Sequence, residues 1–199
     1  ADTATTDENA ILNAAVPAAF DVDGTIASYA LGTTVTGGNL TFSNDGSYSF
    51  DPGTDFDDLA AGASRDVTFT YTALDNDGAA SAEQTITITV TGTNDIPVAV
   101  ADILTTEENT PLNGAVPAAS DIDGTIAGYT LGTTVTEGSL TFNSDGSYSF
   151  DPGTDFDDLA VGASRDVTFI YTATDNDGAT SAEQTVTITV TGTNDAPVA

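Results

Sequence analysis

The residues of this sequence best suited to chemistry are aspartate pairs separated by one residue and followed by glycine. The pattern Asp-x-Asp-Gly occurs at residues 21–24 and 121–124, and again at 75–78 and 175–178. Alternate residues of an extended loop point to the same side, so each pair can grip a cation between two carboxylates. The glycine that follows allows the chain to turn tightly behind the ion.

The ligand types available in the whole chain favour a hard cation. The sequence contains no His and no Cys, which removes the usual ligands of Zn²⁺ and copper. Carboxylate and carbonyl oxygens suit Ca²⁺, which takes about 6–8 oxygen ligands in flexible geometry. Mg²⁺ is seldom held by a cage made of protein alone. We therefore predict Ca²⁺ as the bound ion.

These acidic motifs are densest in the middle of the chain, from Thr91 to Asp123. A strand pattern ends there, a joint containing Asn94, Asp95 and Pro97 follows, and a second Asp-x-Asp pair comes after it. Acidic side chains therefore lie on both sides of the joint. We predict that these side chains bind calcium together and that this joint is the functional site of the protein.

The net charge of -29 limits the partners that the chain can have. Its only basic residues are Arg65 and Arg165, so nucleic acid and anionic membrane surfaces, which need Lys and Arg contacts, are disfavoured. Like charge at this density destabilises a compact state by self-repulsion, which bound cations would relieve. The hydrophobic residues, 39% of the chain, are regularly patterned, and this pattern argues against disorder.

No pattern for membrane insertion or secretion is visible in the sequence. No apolar run approaches the roughly 20 residues of a membrane-spanning helix, and the N-terminus lacks the pattern of a signal peptide. Without Cys, disulfides cannot contribute to stability. Because the sequence starts within a repeating pattern, we expect it to have been cut from a longer chain.

The chain is a duplication with a period of 100 residues. Between residues 1–99 and 101–199, 20 positions differ and 79 are identical, without a gap. This period is too long for a helical solenoid and suits an array of whole domains, which we place at 1–96 and 97–199. The last residues, 191–199, repeat the middle joint and are expected to begin a following linker. Such near-identity favours a spacer over an enzyme, so we predict no enzymatic activity.

Alternating apolar and polar residues indicate short β-strands rather than helices. Val67, Phe69 and Tyr71 are predicted to point inward from one strand, and Ile86, Ile88 and Val90 from another. About seven strands in each ~100 residues predict an all-β chain of two tandem antiparallel Greek-key β-sandwiches, cadherin/Ig-like and end to end. We expect 1–8 to form an edge strand and 55–63 to be an acidic connection with a short helical turn.

Each repeat carries the same motifs in the same order along its whole length. In the first repeat they are Glu8-Asn9, Asp21-x-Asp23-Gly24, Phe50-Asp51-Pro52-Gly53-Thr54, Asp57-Asp58-Leu59, Tyr71-Thr72-Ala73-x-Asp75 and Asn94-Asp95-Ile96-Pro97. This order resembles that of the bacterial cadherin-like, or VCBS-type, repeats of large secreted surface adhesins.

The resemblance implies that Ca²⁺ is bound at the joint between successive repeats. The base of one repeat, the linker and the top of the next would each supply ligands. The complete joint would comprise Glu8, Asp57, Asp58, Asn94, Asp95, Asp121, Asp123, Asp175 and Asp177. Equivalent half-sites, expected to bind Ca²⁺ more weakly in this chain, would comprise Asp21, Asp23, Asp75, Asp77, Glu108, Asp157, Asp158, Asn194 and Asp195.

The resemblance also implies a function on the bacterial cell surface, outside the cell. There the repeats would be calcium-binding extenders of an adhesin, in which interdomain Ca²⁺ stiffens the array and projects a distal binding domain. The alternative is an adhesive module that binds polysaccharide, or like domains on other cells, in cell–cell or biofilm adhesion. The expected partners are the neighbouring repeats of the same chain, and the protein is expected to be a monomer.

Several other polar and aromatic residues have a structural interpretation. Asp45 and Asp145 are predicted to form hairpin turns, because Asp-Gly supplies the positive φ that such turns need. Arg65 and Arg165 are predicted to pair with neighbouring carboxylates. The Tyr and Phe residues lie in alternating patterns and are assigned to the core rather than to a sugar-binding platform.

Overall fold

The computed structural model describes residues 1–196, and within that range the chain is all β, with no helix. It divides into two compact units, Ala1–Asn94 and Asp95–Ala199, called repeat 1 and repeat 2 below. Pro197, the last member of the second Asn-Asp-x-Pro motif, lies outside the described residues. Each repeat contains seven strands.

The strands of both repeats fall at equivalent positions. Those of repeat 1 are β1 (Asp2–Asp7), β2 (Leu12–Ala15), β3 (Ile26–Leu31), β4 (Asn39–Phe42), β5 (Ser47–Asp51), β6 (Ser64–Asp75) and β7 (Gln84–Thr91). Those of repeat 2 are β8 (Asp102–Glu107), β9 (Leu112–Ala115), β10 (Ile126–Thr133), β11 (Ser139–Phe142), β12 (Ser147–Asp151), β13 (Ser164–Asp175) and β14 (Gln184–Thr191).

Each repeat is a sandwich of a four-stranded and a three-stranded sheet. In repeat 1 the strand orders are β1-β7-β6-β3 and β2-β5-β4, and repeat 2 has the corresponding orders. The predicted all-β sandwich class is therefore confirmed, and β1 is the predicted edge strand. One detail differs from a purely antiparallel sandwich: β1 pairs in parallel with β7, and β8 with β14.

The core of each sandwich is built from the inward side of these alternating strands. The predicted inward residues of β6 and β7 are all buried, and Phe69, Ile88 and Val90 are fully so. The ring of Phe69 packs edge-on against that of Tyr48, with centroids 5.0 Å apart, a geometry favoured by the ring quadrupoles. Burial of this alternating face determines the register of each sheet, because a shift by one residue would turn the apolar side chains to solvent.

The hairpin turn predicted at Asp45-Gly46 is confirmed. Gly46 has a φ of 86°, a backbone conformation that glycine adopts without strain. The Oδ1 atom of Asp45 accepts hydrogen bonds from the backbone N–H and the hydroxyl of Ser47, at 2.9 and 2.6 Å. These bonds hold the pKa of Asp45 below its ordinary value.

The acidic connection at 55–63 contains turns but no helical turn, contrary to the prediction. The N–H of Leu59 donates to the carbonyl of Phe56 at 2.9 Å, and the N–H of Gly62 donates outside the segment, to the carbonyl of Gly92. Phe56 is buried and carries the guanidinium of Arg65 above its ring, 5.6 Å from the centroid. Anchoring to the core and to Gly92 therefore fixes this segment as a loop.

A buried hydroxyl in repeat 2 allows a direct test of the packing. The Oη atom of Tyr148 is buried without a hydrogen-bond partner, and such a group costs about 1–3 kcal/mol. We expect Tyr148→Phe to raise the free energy of unfolding by about 1 kcal/mol, measured by urea denaturation. The matched variant Tyr48→Phe should gain less, because Tyr48 retains 6% exposure, against 3% for Tyr148. A loss of stability in Tyr148→Phe would contradict this account.

Candidate metal centre

A fully buried glutamate stands at the base of each repeat. Glu8 follows directly on β1, and its backbone N–H donates to the carbonyl of Thr91 at 3.0 Å. Its side chain is only 1% exposed, and that of Glu108 is not exposed at all. Lone carboxylates are rarely buried to this extent, because removing the charge from water is costly unless it is paired or bound to a metal.

One carboxylate oxygen of this glutamate accepts hydrogen bonds, and the other has no hydrogen-bond partner. The Oε1 atom of Glu8 accepts hydrogen bonds from the backbone N–H and the hydroxyl of Thr93, at 2.7 and 2.8 Å. In repeat 2 the corresponding distances from Thr193 to Glu108 are 2.6 and 3.0 Å. The Oε2 atom of each glutamate is buried and has no hydrogen-bond partner. The same geometry in both repeats shows that each repeat builds this arrangement from its own residues.

The threonine that holds the glutamate is itself fixed in place. The side-chain amide of Asn9 donates to the hydroxyl of Thr93 at 3.0 Å. Gly92, one residue earlier, lies so close to the loop after Phe56 that a Cβ there would come within 2.3 Å of the carbonyl oxygen of Leu59. Only glycine fits at that position. The motif Gly-Thr-Asn-Asp therefore positions Thr93 against Glu8. The sequence patterns did not predict this role.

A second set of acidic residues gathers at the opposite end of repeat 2. Both carboxylate oxygens of Asp121, and Oδ1 of Asp123, are buried without a hydrogen-bond partner. The N–H of Asp95 donates to Oδ2 of Asp123 at 3.3 Å. The pKa of Asp121 is raised above its ordinary value, mainly because the carboxyl is buried and secondly because Asp123 and Asp175 place negative charges beside it. Mutual repulsion of this kind is what a bound cation would relieve.

Hydrogen bonds within a turn hold Asp175, the last aspartate of this set along the chain, in position. Asp175 is 2% exposed, and its Oδ1 accepts the backbone N–H groups of Asp177 and Ala179, both at 2.9 Å. The neighbouring Asn176 accepts the N–H of Thr125 at 2.7 Å and donates to Oδ2 of Asp177 at 2.6 Å. Asn176 thereby ties the loop that carries Asp121 and Asp123 to the loop that carries Asp175.

The corresponding loops of repeat 1 are built in the same way. Oδ1 of Asp75 accepts the N–H groups of Asp77 and Ala79, at 2.9 and 2.8 Å. Asn76 accepts the N–H of Thr25 at 2.8 Å. Asp21 is half-buried, whereas Asp23 and Asp77 are exposed. The loops therefore take their shape from local hydrogen bonds in both repeats.

The remaining predicted ligands have different surroundings. Asp58 and Asp158 form ion pairs with Arg65 and Arg165, each at 2.7 Å, which confirms the pairing predicted for the two arginines. The guanidinium groups hold the pKa values of both carboxyls below their ordinary value. Three equivalent positions differ in burial between the repeats. Asp57, Asn94 and Asp95 are half-buried, whereas their counterparts Asp157, Asn194 and Asp195 are exposed.

The chemical type of these donors suits a calcium ion. Among residues 1–196, no group of three or more Asp or Glu side chains is arranged to hold a metal ion. Calcium does not require such a group, because backbone carbonyls, amide oxygens and water also serve as ligands. The buried oxygens of Glu8, Glu108, Asp121 and Asp123 that lack a hydrogen-bond partner are hard donors of the kind calcium prefers. The residues present therefore fit the ion.

The sequence matches the family described as bacterial cadherin-like domain over residues 1–92 and again over 94–192. The chain belongs to this family. Its fold and its repeat organisation agree with the expectation drawn from the order of the motifs. Tandem cadherin-like domains are consistent with a role in adhesion or as extenders, and such domains are in general structural modules rather than enzymes.

Two solved structures, of mouse cadherin-23 and of protocadherin gamma C5, share the fold of this bacterial cadherin-like chain. The structure of mouse cadherin-23 EC22-24 is 19% identical, with a TM-score of 0.54, and the match covers 97% of this chain and 63% of that one. Protocadherin gamma C5 EC1-3 is 18% identical, with a TM-score of 0.54, and the match covers 96% and 65%. Drosophila N-cadherin EC1-3 is 21% identical, with a TM-score of 0.39, and the match covers 96% and 64%.

The matched cadherin structures are longer than this chain. The chain spans just under two thirds of the length of the cadherin structures named above. A search of curated protein sequences finds no match. In residues 1–196 there is no helix with the length and hydrophobicity needed to cross a bilayer.

The raised pKa of Asp121 has a consequence for the calcium-free protein. Its ordinary value is 3.8, so near and above that pH the folded protein keeps a proton that the unfolded chain has released. The stabilisation from this carboxyl is fully present below the unfolded pKa and is lost as pH rises through the folded pKa. In EGTA we expect the free energy of unfolding to fall less between pH 4 and pH 7 in Asp121→Asn than in the parent protein.

The control for this pH dependence is a carboxyl with the opposite shift. Hydrogen bonds from Ser147 lower the pKa of Asp145, so its contribution is present above its unfolded pKa and is lost as pH falls through the folded pKa. Asp145→Asn should therefore change the profile mainly below the unfolded pKa, where the parent protein loses this contribution, and should leave the range between pH 4 and pH 7 nearly unchanged. Identical profiles for Asp121→Asn and the parent protein would contradict the assignment.

Proposed function

We propose that the two repeats are calcium-binding extender modules of a bacterial cell-surface adhesin. The observation that carries this proposal is the buried glutamate of each repeat, Glu8 and Glu108, whose Oε2 atom has no hydrogen-bond partner. A neutral core could fill this position with an apolar side chain at lower cost. One oxygen of this carboxylate accepts hydrogen bonds from the protein, and the other has no hydrogen-bond partner. The second oxygen can therefore serve as a ligand for a hard cation.

The proposed ion binds oxygens from three parts of the chain. Glu8 supplies the base of repeat 1, Asn94 and Asp95 supply the linker, and the loops of repeat 2 supply Asp121, Asp123 and Asp175. Without calcium these carboxylates repel one another, and with calcium the repulsion becomes attraction to a shared charge. The ion then links consecutive repeats and stiffens the array, so that a distal domain is projected away from the cell surface. Neighbouring repeats are the principal partners in this function.

The affinity required for such a role is modest. Extracellular calcium modules typically have dissociation constants of about 10⁻⁴–10⁻³ M, so millimolar calcium outside a cell keeps them loaded. The net charge of -29 adds a long-range attraction for divalent cations.

Small-angle X-ray scattering tests the extender function directly. We expect calcium to narrow the distribution of interatomic distances and to increase the maximum dimension relative to the protein in EGTA, because a flexible pair samples folded-back arrangements. Magnesium at the same ionic strength is the control for charge screening, and it should have a much smaller effect. An unchanged distance distribution on adding calcium would refute the proposal.

A further inference from the structure

A polar cavity lies beside Arg65, the only basic residue of repeat 1. It has a volume of about 310 Å³, and its lining includes Thr36, Gly37, Asp55, Phe56, Arg65 and Asp66. This volume is at the lower end of the range for ligand pockets, about 300–1,000 Å³, so the cavity can hold one small ligand unit. None of these six residues is among the predicted calcium ligands.

The guanidinium of Arg65 is held in place by three contacts. Its Nη1 donates to the carbonyl of Asp55 at 3.1 Å, and its Nη2 donates to Oδ2 of Asp58 at 2.7 Å. The group also lies above the ring of Phe56, 5.6 Å from the centroid. A guanidinium has five N–H groups, so these two hydrogen bonds leave further N–H groups of a fixed donor for a ligand.

Repeat 2 fills the same position with one of its own side chains. Nη1 of Arg165 donates to the carbonyl of Asp155 at 3.2 Å and also to Oε1 of Glu137 at 3.3 Å. Glu137 is the counterpart of Gly37, and the other residues named above are identical in the two repeats. The side chain of Arg165 is 32% exposed, against 42% for that of Arg65. The glutamate thus supplies an oxygen acceptor that the cavity of repeat 1 lacks.

The backbone does not require glycine at position 37. Gly37 is not one of the glycines with a positive φ. A Cβ atom there would lie 3.4 Å from Cζ of Phe56 and 3.9 Å from Oδ2 of Asp55, which are ordinary van der Waals distances. A side chain would therefore be tolerated, and it would start out toward two residues that line the cavity. The lack of a side chain at Gly37 keeps the cavity open.

The charges around the cavity select the class of ligand. The guanidinium repels a metal ion, whereas the carboxylates of Asp55, Asp58 and Asp66 and the net charge of -29 repel an anion. A neutral ligand with several hydroxyl groups avoids both penalties. Asp55 and Asp66 each accept one hydrogen bond from the protein, from the N–H of Gly38 at 2.8 Å and from the hydroxyl of Thr89 at 2.6 Å. An ionised carboxylate has about four lone-pair sites, so both can accept further hydroxyl groups.

We propose that the cavity beside Arg65 binds one neutral sugar unit, and that Glu137 closes the equivalent cavity of repeat 2. A sugar oxygen accepts a hydrogen bond from Nη1 of Arg65, as Oε1 of Glu137 does from Arg165. Neighbouring sugar hydroxyls donate to Asp55 and Asp66. A site for a single sugar unit binds weakly, with a dissociation constant on the order of millimolar. Two repeats of nearly the same sequence therefore differ in ligand binding.

Backbone NMR of the full 199-residue chain in EGTA tests the site with the methyl glycosides of glucose, galactose and mannose. EGTA removes calcium, so failure of this proposal and failure of the extender function are separate outcomes. We expect at least one glycoside to shift signals at residues 36–38 and 55–66, while residues 136–138 and 155–166 keep theirs. Glucuronate should bind at least about tenfold more weakly than methyl glucoside, because the acidic surface repels it. Shifts with dextran or mannan as well would identify a polysaccharide as the source of the sugar.

Exchanging the residues at positions 37 and 137 gives matched variants. Gly37→Glu places the acceptor of repeat 2 in repeat 1 and should weaken binding at least about tenfold, because a tethered carboxylate competes with the sugar for the guanidinium. Glu137→Gly should open a second site and produce shifts at residues 136–138. Each substitution copies the other repeat, so both variants are expected to fold, and thermal unfolding checks this.

Four results would overturn the proposal. They are the absence of shifts with all three glycosides, equal shifts in both repeats of the parent protein, glucuronate binding as tight as that of methyl glucoside, and unchanged binding in Gly37→Glu.

Discussion

Replacing Glu8 with Gln is expected to lower the calcium affinity of the protein by at least about tenfold, equivalent to about 1.4 kcal/mol. The substitution keeps an oxygen that can accept the hydrogen bonds of Thr93 and changes only the Oε2 position, which has no partner in the folded chain. It removes one negative charge from the proposed ligands. Calcium therefore loses a charged donor, while the packing around the side chain stays nearly the same.

The calcium-free protein should respond in the opposite direction. A buried carboxylate with one unpartnered oxygen is costly, and a neutral amide of the same shape is less so. In EGTA the Glu8→Gln variant should be at least as stable as the parent protein. Opposite effects on calcium affinity and on calcium-free stability would distinguish a metal ligand from a residue that only supports the fold.

Isothermal titration calorimetry and thermal unfolding in EGTA provide the two measurements. Asp7→Asn, one residue earlier, removes the same charge from an exposed side chain. This control should lower the calcium affinity only slightly, because the removed charge acts on the ion only from a distance. The difference in affinity should shrink as salt is added and screens that charge. If Glu8→Gln bound calcium as tightly as Asp7→Asn, Glu8 would not be a ligand.

Replacing Thr93 with Val is expected to destabilise the protein by about 1.5–3 kcal/mol, the usual worth of a hydrogen bond to a charged group. The variant is close to isosteric, but it removes the hydroxyl that donates to Oε1 of Glu8 at 2.8 Å. It also removes the acceptor of the Asn9 amide. The buried carboxylate would keep only the backbone N–H of Thr93.

The same variant should weaken calcium binding, because Glu8 loses the contact that orients its free oxygen. Supporting residues around metal ligands typically change affinity by about 10–100-fold when removed. Thr93→Ser restores the hydroxyl and should recover both affinity and stability. If Thr93→Val reduced stability but left the calcium affinity unchanged, the threonine would support the fold and have no role in calcium binding.

Much of the fold followed from residue patterns. The inward side chains of β6 and β7, the Asp45-Gly46 hairpin and the edge position of β1 all agree with the alternation and turn signals in the sequence. These features depend on neighbours along the chain or on one buried face, and local patterns report both. The near-identity of the repeats meant that each inference applied at two positions.

The features that escaped prediction depend on contacts between distant segments. The parallel pairing of β1 with β7 joins residues more than eighty positions apart, and no local pattern encodes its direction. The hydrogen bonds of Thr93 to Glu8 likewise span 85 positions. A threonine after glycine gives no sign of such a partner, although its recurrence as Thr193 was the available clue.

The acidic residues illustrate the same limit within one site. Sequence spacing alone did not separate Asp58, which pairs with Arg65, from Glu8, whose second oxygen has no partner. Both are carboxylates next to repeated motifs. Their different surroundings arise from the loop at 55–63, which brings Asp58 to the arginine at the start of β6.

The parallel pairing of β1 with β7 determines how each repeat carries tension. The first and last strands of repeat 1 run side by side from the Asp2–Ile86 pair to the Asp7–Thr91 pair, and β8 and β14 do the same in repeat 2. A pull on the two ends of a repeat slides these strands past one another, so the hydrogen bonds between them are loaded together rather than opened singly. Each sandwich is thus a mechanical clamp, and its resistance to force is present in the fold before any ion binds.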